Sequence, residues 1–144
     1  MPTVRDLTPD DATALAALYG DYEWWADRDA ERVRVALEAT EVAVGVERDG
    51  ELVAAARVLT DYTYYATVFD VIVAAGCRGE GVGELLLEGV LDHPDLRAVD
   101  GLALLCRRGL VEFYESVGFE PYGPEVEIPE GGREELVRMT YSRE

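Results

Sequence analysis

The chain has 144 residues, 49% of them apolar, with 30 acidic against 13 basic residues and a formal net charge of −17. This length and apolar content suit one domain with a core of its own, residues 1–144, and argue against disorder. No apolar run reaches the roughly 18 residues of a membrane span, and so acidic a surface repels both nucleic acid and anionic lipid.

In chain order, "TVRDL" reads as a short strand. Thr8, Pro9 and Asp11 then form a helix-start signature, a capping hydroxyl with an acidic residue three positions on. The helix that follows carries Leu15, Leu18 and Tyr22 along one side. A second helix over Asp29 to Ala39 puts Ala30, Val33 and Leu37 on a shared face. Val42, Val44 and Val46 alternate as in a strand, Asp49-Gly50 is a hairpin turn, and the next strand runs from Leu52 to about Leu59. "TDYT" predicts a second turn, and Tyr64 to Val73 a long third strand, all consecutive and antiparallel.

After a cluster of glycines, Val82, Leu85, Leu86 and Val90 recur at helical spacing, and "LDHPDL" ends that helix. Asp100 to Leu105 predicts a buried strand. Leu110, Phe113, Tyr114 and Val117 predict one helix face, stopped by Gly118 with Phe119 packing back. Short strands at about Phe119 to Tyr122 and Leu136 to Thr140 close the chain, joined by a mobile loop, "GPEVEIPEGG". The order β-α-α-β-β-β-α-β-α-β-β predicts an α/β fold of the α+β kind, a mixed sheet with helices on its faces.

The chemistry concentrates in Arg78-Gly79-Glu80-Gly81-Val82-Gly83, between a strand end and a helix start. The first N–H groups of a helix lack backbone partners and carry about half a positive charge, so an anion is favoured there. Glycines admit positive φ and keep side chains away from a phosphate, and Arg78 adds a charged fork. A dinucleotide fingerprint would need glycine at position 84, which is Glu, and the preceding hairpins do not make a βαβ unit. All 13 basic residues are arginine, so a Walker loop and a Schiff-base enzyme are both excluded for want of lysine. The two cysteines, Cys77 and Cys106, make no disulfide framework and have no metal-ligand partners at usual spacing, so no metal is expected. Reduced cysteines and a start without a signal-peptide pattern point to the cytoplasm. The carboxylate-rich, lysine-free composition resembles that of proteins from salt-accumulating halophilic archaea.

Arg78, Gly81 and Gly83 after "FDVIV", with "LVEFYESVGFEP" from Leu110 to Pro121, resemble the two signatures of the GNAT acetyltransferase superfamily, and the element order matches that family from end to end. "ARVLTD", "FDVIV" and "LDHPDL" are similar to a small bacterial and archaeal branch of it. Arg107 and Arg108 depart from the pattern, standing where many members place an Asn that touches the cofactor. The resemblance implies an acyl-CoA N-acyltransferase fold with a splayed central sheet, and transfer of acetyl from acetyl-CoA to an amine. It implies that residues 78–83 hold the pyrophosphate and that Val71, Ile72 and Val73 offer backbone donors in the splay. Tyr114 matches the tyrosine that protonates or positions the leaving thiol, although its place on an apolar face is equally that of a packing residue.

The proton of the attacking amine goes to Asp70, to Asp61, or through water to solvent. His93, the only histidine, lies beyond the far end of the helix that follows the glycines, and geometry precedes pKa in choosing a base. The acceptor pocket is expected between the first two helices and the "DYTYYA" turn. Trp25, Asp61 and Tyr64, with Trp24, Tyr62, Tyr65 and Glu23, would suit a cationic small-molecule or peptide amine. The same aromatics also suit ordinary packing or a homodimer surface. An acyl-CoA sensor or interaction module without turnover is the alternative function.

Overall fold

The computed structural model describes residues 1–122, 126–127 and 135–143. Strands β1 (Thr3–Asp6), β2 (Val42–Arg48), β3 (Glu51–Thr60), β4 (Ala66–Val73), β5 (Gly101–Arg107), β6 (Glu120–Pro121), β7 (Val126–Glu127) and β8 (Glu135–Ser142) form one mixed sheet. Their order is β1-β2-β3-β4-β5-β8-β6, with β7 also on β8. The helices are α1 (Ala12–Tyr19), α2 (Ala30–Glu38), α3 (Val82–Leu91) and α4 (Val111–Ser116).

Local chemistry places most of these elements. Asp10 N–H donates to the Thr8 hydroxyl at 3.2 Å and Thr8 N–H donates to Asp11 at 2.8 Å, a reciprocal cap that launches α1. Arg5 donates to Asp11 at 2.7 Å, and this bond is the main cause that holds its carboxyl below the ordinary carboxylate range. Asp29 caps α2 by accepting from Arg32 N–H at 2.8 Å.

Each face of the sheet has its own cluster. On one, Leu15, Leu18 and Tyr19 of α1 and Val33 and Leu37 of α2 cover Ala43, Ala55 and Ile72. On the other, Val82, Leu86, Leu87 and Val90 of α3 pack on Val44, Val46, Ala54 and Val58, with Tyr114 and Phe119 beside Leu104 and Met139. Alternation along the strands delivers the two faces. The alanines of β3 (Ala54, Ala55, Ala56) are almost fully buried and let helices approach from both sides.

Three expectations change. Tyr22 lies past the end of α1, in the turn before Glu23–Trp25. The strand expected from Tyr64 begins at Ala66, because Asp61 accepts from Thr63, Tyr64 and Tyr65 N–H at 2.9, 2.7 and 2.9 Å and holds those residues in a turn. The short β7 interrupts the stretch read as a mobile loop, the rest of which lies outside the described residues. Among the described residues no helix is long and apolar enough to cross a membrane.

Candidate active site

The site is built on an opened sheet. Parallel pairing between β4 and β5 is confined to Thr67 opposite Ala103, after which the two strands part. On its other side β4 follows β3 antiparallel, with a register shift where Asp70 and Val71 share one position opposite Ala56. Asp70 carries the extra residue's strain, at φ 55°. Beyond it, Ala74 N–H donates to the Val53 carbonyl at 2.8 Å. Strand alternation then turns the amides of Ile72 and Ala74 toward β3 and those of Val71 and Val73 toward the opening. Ile72 therefore departs from the donor role expected of it: its amide faces β3 and its side chain is buried under α1 and α2.

At the end of β4 the chain turns through Ala75–Cys77 into the glycine cluster. Gly79 and Gly81 stand at φ 79° and 81°, and a Cβ on either would meet nothing within 4 Å. Gly81 is the residue that starts α3. A Cβ on Gly83 would instead stand 2.9 Å from the Phe113 ring, so this glycine lets α3 and α4 close on each other. The Glu80 carboxylate pairs with Arg48 at 2.8 Å, which removes a negative charge from competition with an incoming anion. Arg48 also donates to the Cys77 sulfur at 2.9 Å, tying the turn to the β2–β3 hairpin.

Across the opening runs an aromatic bridge that the sequence pattern did not reveal. The Arg78 guanidinium stands 5.3 Å from the Tyr22 ring, Tyr22 is 5.0 Å from Trp24, and the Arg107 guanidinium is 4.3 Å from Trp24. The Tyr22 hydroxyl donates to the Val73 carbonyl at 2.6 Å. The segment after α1 thus links the end of β4 to the end of β5. Tyr114 sits in α4, 95% buried, with its ring against Phe113 and Phe119. Burial, with the neighbouring Cys106 as a lesser cause, raises its phenol well above the ordinary range. Burial alone pushes the Cys106 thiol up to about 11.

The acceptor side departs most from expectation. Asp61 spends its carboxylate on the turn, whose backbone N–H groups, Tyr65 first, hold it below the usual range. Tyr64 is 73% exposed. The Trp25 ring lies 5.4 Å from Tyr19 and 5.2 Å from the Arg28 guanidinium.

Asp70 is not placed as a free base. Its Oδ2 accepts from Arg57 Nη2 at 2.7 Å, Arg57 Nε at 3.0 Å and Arg28 Nη1 at 3.0 Å, so arginines occupy its lone pairs. Sequence reading missed Arg28 and Arg57. The signal for Arg57 was a charge inside the apolar run "LVAAARVLT"; Arg28 had none. A second cleft, of about 400 Å³ near Asp6 and His93, lies at the opposite end of α3, where His93 Nε2 is 2.8 Å from Asp6. Among the described residues no group of three or more His, Cys, Asp and Glu is placed to hold a metal ion.

With this geometry in view, the comparisons are specific. Residues 2–119 match the model of the acetyltransferase (GNAT) family. Histone acetyltransferase TAP1 of Glycine max is 35% identical over 69 residues, 48% of this chain and 30% of that protein. The chain thus spans about a third of the length of such curated relatives. The ribosomal-protein-S18-alanine N-acetyltransferase of Escherichia coli superposes with a TM-score of 0.81 at 22% identity, covering 99% of this chain and 94% of that one. An aminoglycoside 6'-N-acetyltransferase solved with coenzyme A gives 0.81 at 15% identity, covering 97% and 96%. At those identities the likeness is one of fold, whereas the family match rests on the sequence itself. The opened sheet, the glycine turn and the sequence match agree: this chain belongs to the acetyltransferase (GNAT) family.

Proposed function

We propose that residues 1–144 form one acetyl-CoA-dependent N-acetyltransferase domain acting on a primary amine of a small molecule or peptide. The observation that carries this reading is the Arg78–Gly83 turn, with its open left-handed glycines at the start of a ten-residue helix beside the β4–β5 opening. Arg78, Gly79, Glu80, Gly81, Val82 and Gly83 would hold the pyrophosphate chiefly through backbone N–H groups. Acetyl-CoA supplies an activated thioester whose carbonyl oxygen gains charge during attack.

The amides of Val71 and Val73 face the opening and are the donors suited to that charge. As the amine nitrogen forms its bond to the acetyl carbon, the carbon–sulfur bond breaks. Tyr114 then gives the thiolate a proton or fixes its position. The amine's own proton leaves to water, since Asp70 is engaged by Arg28 and Arg57. The lysine-free surface with its charge of −17 further suggests a cytosol of high salt, where repulsion is screened.

Thermal unfolding in concentrated KCl tests the reading first. Acetyl-CoA at about 100 times its dissociation constant should add about 2.7 kcal/mol, whereas ATP should add nothing. Steady-state CoA release with a panel of amines then separates an enzyme from a sensor that only binds. No stabilisation by acetyl-CoA would overturn the assignment of the turn.

Gly81→Val probes the turn directly. A β-branched residue at φ 81° costs about 1–2 kcal/mol and projects into the space reserved for the anion. Calorimetry should show acetyl-CoA binding weakened about tenfold in the folded variant, the size of one lost charge-assisted contact. Unchanged affinity would place the pyrophosphate elsewhere.

A further inference from the structure

We propose that the acceptor amine carries a carboxylate, as a free amino acid does, and that Arg28, Arg32 and Arg57 form the cleft that receives it. This inference rests on the acyl-transfer reading for its choice of acceptor. A cleft of about 320 Å³ opens among α1, α2 and β3, and these three arginines line it with Tyr19 and Asp27. That volume fits a small molecule.

The chemistry of the walls runs against that of the molecule. On a chain with a net charge of −17, three of the 13 arginines meet in one concavity. The carboxylates facing them are Asp27 and Asp70, which leaves the cleft with a surplus of positive charge. A basic cleft in so acidic a surface offers an anionic group direct guanidinium contacts that the carboxylates around it do not.

Donors remain available. Arg57 places Nε and Nη2 on Asp70 and Nη1 on Thr40, and Arg28 uses Nη1 and Nη2 on Asp70. A guanidinium has five N–H groups, so both arginines keep some for a ligand. Arg32, in the first turn of α2, takes no part in the Asp70 bonds. Arg28 is held in place between Tyr19, at 4.8 Å, and Trp25. One carboxylate needs one arginine; the excess is what a second carboxylate would use.

The cleft also lies beside the reacting centre. Asp70 anchors Arg28 and Arg57 from the bulge, and the next residue, Val71, turns its amide into the opening. A carboxylate bound by the arginines would be tied through Asp70 to the strand that carries that amide. The cationic acceptor expected from Asp61 and Glu23 finds no such cleft, because Asp61 is committed to its own turn.

Calorimetric titration tests this, with and without CoA, at KCl concentrations where the protein is folded. The ligands are the common amino acids, β-alanine and γ-aminobutyrate, each beside its amide, together with the polyamines putrescine and spermidine. At least one acid should bind about tenfold or more tightly than its amide, as expected for loss of a charge-assisted fork. Arg32→Glu should abolish that preference without altering acetyl-CoA affinity, and Arg32→Lys should restore part of it. Equal binding of acid and amide, tighter binding of polyamines, or no binding of any acid would overturn the proposal. An acid that binds but is never acetylated would leave the cleft standing and overturn the transfer reading.

Discussion

Tyr114→Phe should lower turnover about 100-fold while leaving acetyl-CoA affinity unchanged, the lower bound for loss of a positioned general acid. The substitution removes one oxygen from a ring packed between Phe113 and Phe119, so the fold loses little. Burial raises the phenol above its ordinary range, which keeps it protonated but makes it a weaker acid. The shift therefore favours a hydrogen bond that positions the thiolate over full proton donation. A group of raised pKa stays protonated through neutral and moderately alkaline pH, so the acid form is present whenever a thiolate of pKa about 8.5 must be neutralised. The turnover of the parent protein should therefore show no alkaline decline from Tyr114 between pH 7 and about 10, and the phenylalanine variant should be slow across that whole range. A phenylalanine variant that turns over normally would reduce Tyr114 to a packing residue.

Asp70→Ala should destabilise the protein by about 2–3 kcal/mol, read from the midpoint of denaturant unfolding. Two causes add. The first is the loss of the carboxylate shared by Arg57 and Arg28, which leaves two partly buried guanidiniums facing each other. Arg28 is 35% exposed, and water there discounts the larger penalty of a sealed pair. The second is the backbone, because alanine at φ 55° costs about 1 kcal/mol that Asp and Asn largely avoid. Asp70→Asn separates the two, since it keeps the turn-tolerant side chain and removes only the charge. It should lose about 1 kcal/mol less than Asp70→Ala. Equal losses would mean that the bulge carries no strain, and no loss in either would remove Asp70 from the stability of the site.

These two residues stand on opposite sides of what the sequence could reveal. The place of Tyr114 on a helix face was legible because that helix is short, periodic and stopped by Gly118, while its candidate role came from the family resemblance. The Thr8 cap, the Asp49-Gly50 turn and the Arg78–Gly83 turn were legible for the same reason: each is made by residues a few positions apart. Asp70 was visible as a carboxylate on a strand, but its left-handed backbone was not. The bulge exists because β4 must pair with β3 on one side and part from β5 on the other, and that demand comes from the assembled sheet. Tyr64 and Tyr65 read as strand residues by composition, and the Asp61 carboxylate captured their amides first.

The sequence by itself determined the element order apart from β7, the two core faces and the glycine turn, because periodicity and capping act within a few residues. Only the tertiary structure decided what the acceptor side is made of. It brought Arg28 to Asp70 across 42 positions of chain and Arg57 across 13, and it turned Arg78 and Arg107 onto the Tyr22–Trp24 bridge. Charges separated so far in sequence share no local pattern. Their meeting is set by the sheet bulge and by the packing of α1 and α2, which no short stretch of the chain contains.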